Sequence, residues 1–309
     1  MAMRTMKLGG TGLDVPVVGV GCMRLTELDL ASAEQFVQTA LEQGVNFFDH
    51  ADIYGGGACE EIFAKAVHMK PSVRESIILQ SKCGIRSNPP RFDFSMEYIL
   101  SSVDGILRRL QTDYLDVLLL HRPDALMEPE EVAEAFERLY TSGKVRYFGV
   151  SNENPGQMQL LQKWLRQPIV ANQLQFGAAH ATMISSGINV NMINDAGINR
   201  DGGVLDFCRL HDITIQPWSP FQHGYFEGVF LTNEKFSELN QTLLAIGDRY
   251  EVSPATAAIA WILRHPAHMQ PIVGTTKTER LKEICQAADL WLTREEWYEI
   301  YRAAGNELP

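Results

Sequence analysis

The sequence predicts an α/β fold: a closed barrel of eight parallel strands, each followed by a helix, with a β-hairpin in front. Two observations carry this. Short, continuously apolar runs of strand length alternate with amphipathic helical patterns eight times along the 309 residues, and continuous apolarity marks strands covered on both faces, as parallel strands flanked by helices are. The rival doubly wound sheet ordinarily carries a GxGxxG turn between its first strand and first helix, where this chain reads "GVGCMR".

Taken in order, "MKLGGTGLDVP" has the glycine-rich turn chemistry of a hairpin that would cover the bottom of the barrel. The first strand lies in "VPVVGVGCM" and the first helix in "SAEQFVQTALEQG", with Ser32 placed to cap it and Gly44 to end it. The unit recurs as "VNFFD" with "CEEIFAKAVH", "SIILQSK" with "SMEYILSSVDGILRRLQ", "LDVLLLH" with "PEEVAEAFERLYTSGK", and "VRYFGVS" with "NPGQMQLLQKWLRQ". "IVANQLQ" then reaches "GGVLDFCRLHD" through a long connection, Phe176 to Gly202, that is either a lid over the site or a tolerated decoration. "ITIQPWS" with "SPATAAIAWILRHP" and "QPIVGT" with "KTERLKEICQAAD" complete the set. No low-complexity linker divides these units, so residues 1–309 read as one domain.

Composition excludes several classes of function. A net charge of −11 opposes sequence-independent binding to nucleic acid or an anionic membrane, both of which select clustered Lys and Arg. No apolar stretch is long enough to span a bilayer, and "MAMRTMKLGGTG" lacks the apolar centre of a signal peptide. Cys22, Cys59, Cys83, Cys208 and Cys285 are scattered and lack CxxC spacing, which reads as a reduced chain without disulfides or zinc. The expectation is a soluble, cytoplasmic monomer. No metal is expected either, since "DHAD" offers a lone His50 and "HPAH" has little carboxylate company.

In such a barrel the chemistry gathers where the strands end. The second strand closes at Asp49 with Tyr54 just beyond, the third at Lys82, the fourth at His121, the fifth at Ser151 and Asn152, the sixth at Gln173 and the seventh at Trp218. Each alone has an ordinary role: a helix cap for Asp49, a solvated charge for Lys82, a core imidazole for His121, packing for Tyr54, loop hydrogen bonds for Ser151, Asn152 and Gln173. Their joint placement on successive strand ends points to a proton donor instead. A free phenol, with a pKa of about 10, is a weak acid at neutral pH, and a nearby cation lowers that value. Lys82 would be the cation, Asp49 its counter-charge, and His121 a donor to a substrate carbonyl oxygen.

These strings, "FFDHADIYGGG", "ILQSK", "DVLLLHRPD" and "GKVRYFGVSN", resemble the aldo-keto reductases, and the resemblance runs from "MKLGGTGLDVPVVGVGCMR" to "IVGTTKTERLKEI". It implies a TIM barrel that binds NADPH in extended form without a Rossmann motif and reduces an aldehyde, ketone or related carbonyl to the alcohol. Asp49, Tyr54, Lys82 and His121 match the catalytic tetrad, with Tyr54 as general acid. Ser151, Asn152 and Gln173 match the residues that hold the nicotinamide carboxamide, and Trp218, with Ser219 beside it, matches the aromatic under that ring. The resemblance also assigns the adenosine phosphate to Gly274, Thr275, Lys277 and Arg280.

Three departures touch cofactor preference more than reaction type. Gly274 stands where many members carry a lysine, Val273 replaces a common proline, and Glu153 follows "GVSN" where an apolar or aromatic residue is frequent. Met23, Trp218 and Phe221, with residues of the long sixth connection, are expected to line the pocket for a small-molecule carbonyl substrate, which apolar walls alone do not single out. A cofactor-sensing regulatory subunit, like the potassium-channel β subunits, is the alternative, although no partner-binding segment stands out in the chain.

Overall fold

The computed structural model describes residues 3–309; Met1 and Ala2, part of the expected 1–309 unit, lie outside the described residues. Eight strands close into a barrel: β1 (Gly19–Gly21), β2 (Phe47–Asp49), β3 (Ile78–Cys83), β4 (Leu115–Leu120), β5 (Val145–Ser151), β6 (Ile169–Gln175), β7 (Thr214–Trp218) and β8 (Ile272–Val273). Every neighbouring pair is parallel, and β8 pairs with both β7 and β1. The helices outside are α1 (Leu30–Glu42), α2 (Ala58–Ala66), α3 (Met96–Leu110), α4 (Pro129–Thr141), α5 (Pro155–Gln162), α6 (Val204–Leu210), α7 (Pro254–Leu263) and α8 (Thr278–Cys285).

The continuous apolar strands follow from burial on both faces: every residue of β3 and of β4 is buried. Inward side chains such as Phe47, Val117, Leu119 and Ile272 form one cluster, while outward Phe48, Leu79, Leu118 and Phe148 pack with helix residues such as Phe36, Phe63, Val103 and Phe136 in another. The amino-terminal hairpin pairs Thr5–Lys7 with Asp14–Pro16 and contributes Leu8 and Val15 to the inward cluster. Gly9 donates to Thr214 Oγ1 at 2.7 Å, which fastens the hairpin to the start of β7.

One local expectation changes. Asp29, not Ser32, caps α1: its carboxylate accepts the Ser32 N–H at 2.7 Å, so Ser32 sits inside the first turn as the donor. Gly44, at φ 77°, does end that helix in the left-handed conformation glycine tolerates. The 176–202 connection holds a helix, Thr182–Ile188, and a short turn, Asp195–Gly197. It packs on a further helix, Arg294–Ala303, and on the residues after it, through Ser185 Oγ to Tyr301 Oη (2.9 Å) and Asn306 Nδ2 to Ala178 O (3.1 Å).

At Gly177 this connection meets the segment that follows β7 so closely that a Cβ would lie 2.2 Å from Pro220 O. A backbone oxygen cannot rotate aside. Gly177→Ala is therefore expected to destabilise the fold by about 1–3 kcal/mol, read as a lower urea midpoint, and an unchanged midpoint would show that the two segments move apart freely.

Candidate active site

The three glycines after Tyr54 shape the turn that presents it. Gly55, Gly56 and Gly57 have φ of 58°, 63° and 97°, a left-handed run that side chains resist. Added Cβ atoms would meet Thr26 at Gly55 (2.9 Å) and Arg109 at Gly57 (2.7 Å). The turn brings the Tyr54 hydroxyl to Lys82, which projects from β3 with no exposed surface. Lys82 Nζ contacts Asp49 Oδ2 at 2.7 Å, His50 O at 2.9 Å and Tyr54 Oη at 3.1 Å, one acceptor for each of its three N–H groups.

The other Asp49 oxygen is equally committed. Oδ1 accepts from Gln80 Nε2 at 2.7 Å and Gln173 Nε2 at 3.1 Å. Gln80 also donates to Gln216 Oε1 (2.9 Å), Gln216 to Gln270 Oε1 (2.9 Å), and Gln270 to Pro16 O (2.8 Å). A chain of side-chain amides thus crosses the barrel interior from the hairpin to the carboxylate at the mouth.

Burial pulls the Lys82 ammonium down, but Asp49 and then Tyr54 outweigh it and hold the group above its ordinary range. Burial raises the Tyr54 phenol, Lys82 lowers it, Asp49 raises it again, and the net direction is upward. Lys82 lowers the phenol as expected, and burial outweighs that lowering. Taking a phenolate out of water costs more than an ammonium already shared with Asp49 returns. His121 lies edge-on to Tyr54, ring centroids 5.8 Å apart, and burial, Lys82 and Arg122 together hold its imidazole well below the ordinary value, hence neutral.

A cavity of about 340 Å³ opens over this group. Asp49, Tyr54 and His121 form its floor, while Lys82 stands behind Tyr54 and is not part of the lining. Ser151, Asn152, Gln173, Trp218 and Ser219 form one wall, Gly274, Thr275, Lys277 and Arg280 another, and Met23 and Phe221 also reach the surface. Ser151 Oγ donates to Gln173 O (2.9 Å), Asn152 Nδ2 to Ser151 Oγ (2.8 Å), and Trp218 Nε1 to Asn152 Oδ1 (3.1 Å), so this wall is internally tied.

The long sixth connection contributes nothing to the lining, contrary to expectation, because its contacts tie it to the carboxyl-terminal helix. The segment after β7 takes that place, with Phe226 stacked on Trp218 at 5.9 Å between centroids and Tyr225 alongside. These aromatics, with Arg24 and Arg122, are lining residues that sequence reasoning missed. Arg122 had a signal, its position directly after His121 at a strand end.

The wall made by β8 and the start of α8 suits an anion. Lys277 and Arg280 make no ion pair among the described residues, and a Cβ on Gly274 would find nothing within 4 Å, leaving the backbone open to approach. Together with the side-chain oxygens of Ser151 and Asn152, whose hydrogens are committed within the wall, these groups fit an elongated ligand with phosphate at one end. Among the described residues no group of three or more His, Cys, Asp or Glu is placed to hold a metal, all five cysteines are free and buried, and no helix is long and apolar enough to cross a membrane. Burial raises the thiol of Cys83, beside Lys82, well above its ordinary value.

Comparison with known proteins identifies the family and the fold. The model of the aldo/keto reductase family matches residues 17–304. The chain is 37% identical over 302 residues to the uncharacterized oxidoreductase YcsN of Bacillus subtilis, covering 94% of each chain. It is 32% identical over 290 residues to a 6-dehydroglucose reductase of Agrobacterium fabrum, covering 90% of each. The crystal structure of the thermostable aldo-keto reductase Tm1743 with the inhibitor epalrestat superposes with a TM-score of 0.75 at 25% identity, over 97% of this chain and 100% of that one.

One departure noted in the sequence has an energetic consequence. Glu153 is 2% exposed, its Oε2 has no hydrogen-bond partner among the described residues, and burial pushes its carboxyl up from 4.5 to about 7. Between those values the folded chain keeps a proton that the unfolded chain has released, so stability falls as pH rises through this window and levels off above it. Glu153→Gln is expected to remove that loss, making the variant more stable than wild type at pH 8 by up to about 3 kcal/mol, and less so at pH 5. A difference in urea unfolding free energy that is the same at both pH values would contradict this.

Proposed function

We propose that this chain, which belongs to the aldo/keto reductase family, is an NADPH-dependent reductase that converts an aldehyde, ketone or related carbonyl to the alcohol with Tyr54 as general acid. The family and its relatives make the chain an oxidoreductase whose general chemistry is carbonyl reduction. One observation carries the finer reading: a protonated Tyr54 hydroxyl facing the cavity beside neutral His121, 3.1 Å from a buried ammonium that Asp49 holds in place.

When bound, the reduced nicotinamide supplies the hydride. Tyr54 gives its proton to the carbonyl oxygen, and the resulting phenolate is left beside Lys82, which stabilises it where water does not. Raising the resting phenol by burial keeps the proton in place until that moment. Asp49 fixes Lys82, and neutral His121 donates to the carbonyl oxygen without adding a second positive charge. Ser151, Asn152 and Gln173 would hold the carboxamide, Trp218 and Ser219 would support the ring, and Gly274, Thr275, Lys277 and Arg280 would receive the adenosine phosphate. The two cations of that set favour NADPH over NADH. We further propose that residues 1–309 act as one domain and as a cytoplasmic monomer, a reading supported by the free cysteines and the acidic net charge.

Consumption of NADPH against aldehydes, ketones and quinones, with NADH beside it, tests the proposal. Tyr54→Phe is expected to lower turnover by roughly 100-fold or more while NADPH still binds, and Arg280→Ala is expected to raise KM for NADPH more than for NADH. Unchanged turnover in Tyr54→Phe would reject the assignment of the acid. Tight NADPH binding without turnover of any carbonyl would replace the reductase by a cofactor sensor.

A further inference from the structure

Arg122 is a cation that the proposed reaction leaves unused. It follows His121 at the end of β4, lines the cavity half-buried, and makes no ion pair and no hydrogen bond among the described residues. Asp124, two residues on, is not its partner, because that carboxylate accepts the N–H groups of Phe94 and Leu126, each at 2.9 Å. The guanidinium lies 5.7 Å from the ring centroids of both Trp218 and Tyr225, so aromatic faces position it without neutralising it. Asp49 is the one carboxylate in the described lining, and Lys82, Gln80 and Gln173 already occupy it.

A guanidinium partly withdrawn from water, without a counter-charge, keeps its planar set of donors for whatever enters the cavity. Its attachment point in the barrel differs from those of the cations at the proposed phosphate site. Lys277 and Arg280 follow β8, and Arg24 follows β1 beside it, whereas β4 stands four strands from β8 in either direction around the closed sheet. Arg122 therefore leaves the barrel opposite those cations, directly after His121, and its guanidinium reaches over the mouth to Trp218 and Tyr225.

We propose that Arg122 is a specificity-determining residue that receives an oxyanion, carboxylate or phosphate, on the carbonyl substrate. The reading rests on the proposed reductase activity and names its substrate class: small aldehydes or ketones carrying an acidic group, with the carbonyl toward Tyr54 and His121 and the acidic group toward Arg122.

Matched pairs test this with the whole protein and NADPH: 4-formylbenzoate against its methyl ester, succinate semialdehyde against methyl 4-oxobutanoate, and glyceraldehyde 3-phosphate against glyceraldehyde. Wild type is expected to prefer the charged member of at least one pair by roughly 10- to 100-fold in kcat/KM, as a charge-assisted hydrogen bond would supply. The carboxylate pairs and the phosphate pair distinguish the two oxyanions. Arg122→Gln is expected to abolish the preference through KM while the neutral partners and the fluorescence-measured NADPH affinity stay near wild type, because burial and Lys82, the larger causes, still hold His121 neutral, and Arg122→Lys is expected to retain part of it. Reduction of charged and neutral members with equal kcat/KM by wild type would overturn the proposal and leave the reductase standing. So would an Arg122→Gln variant whose NADPH affinity falls tenfold while both members of a pair suffer alike, since Arg122 would then serve the cofactor. Failure to oxidise NADPH with every pair and with the wider carbonyl panel would remove the reductase reading, and this proposal with it.

Discussion

The ammonium of Lys82 has no water to solvate it, and much of the barrel's upper end is arranged around that fact. A buried cation needs a counter-charge and an acceptor for each N–H, and removing one partner of such a pair characteristically costs about 3–5 kcal/mol. Asp49, the His50 carbonyl and the Tyr54 hydroxyl meet the requirement together. Because β2 and β3 are paired with Asp49 opposite Gln80, the carboxylate and the ammonium come from adjacent strands in a register that the apolar positions on both faces also enforce. The amide chain from Pro16 through Gln270, Gln216 and Gln80 then orients the carboxylate from below. Stability and chemistry share these contacts: the interactions that make Lys82 tolerable also aim Tyr54.

The cavity reverses the charge of the molecule that contains it. A chain of net charge −11 lines its mouth with Arg24, Arg122, Lys277 and Arg280, and Asp49, the one carboxylate in the lining among the described residues, is already neutralised by Lys82. Low-dielectric aromatic walls from Trp218, Tyr225 and Phe226 strengthen that local field. The two proposed anion sites, at the β8 end and at Arg122, thus run against the overall charge.

Much of this was legible in the chain. Eight apolar runs, the hairpin, and the polar residues closing successive strands are written in residue order, because parallel strands buried on both faces leave an unmistakable continuous signal. What was misread depended on the path of the backbone or on partners distant in sequence. Ser32 and Asp29 are both good caps, and only the backbone's actual exit angle selects Asp29. The 176–202 connection could be a lid or a decoration from its length, and Tyr301 and Asn306, over a hundred residues away, tie it to the carboxyl-terminal helix and the residues after it. The segment after β7, read only as far as Phe221, became the wall instead.

By itself, then, the sequence determined the barrel and the residue types at each strand end, since hydrophobic period and strand-end polarity are local properties of a chain. Tertiary structure alone decided how those groups behave. Whether Tyr54 is lowered by Lys82 or raised by burial, whether His121 is charged, and whether Arg122 finds a carboxylate are balances of desolvation against charge. Such balances depend on distances and on excluded water, which exist only once the strands have closed around them.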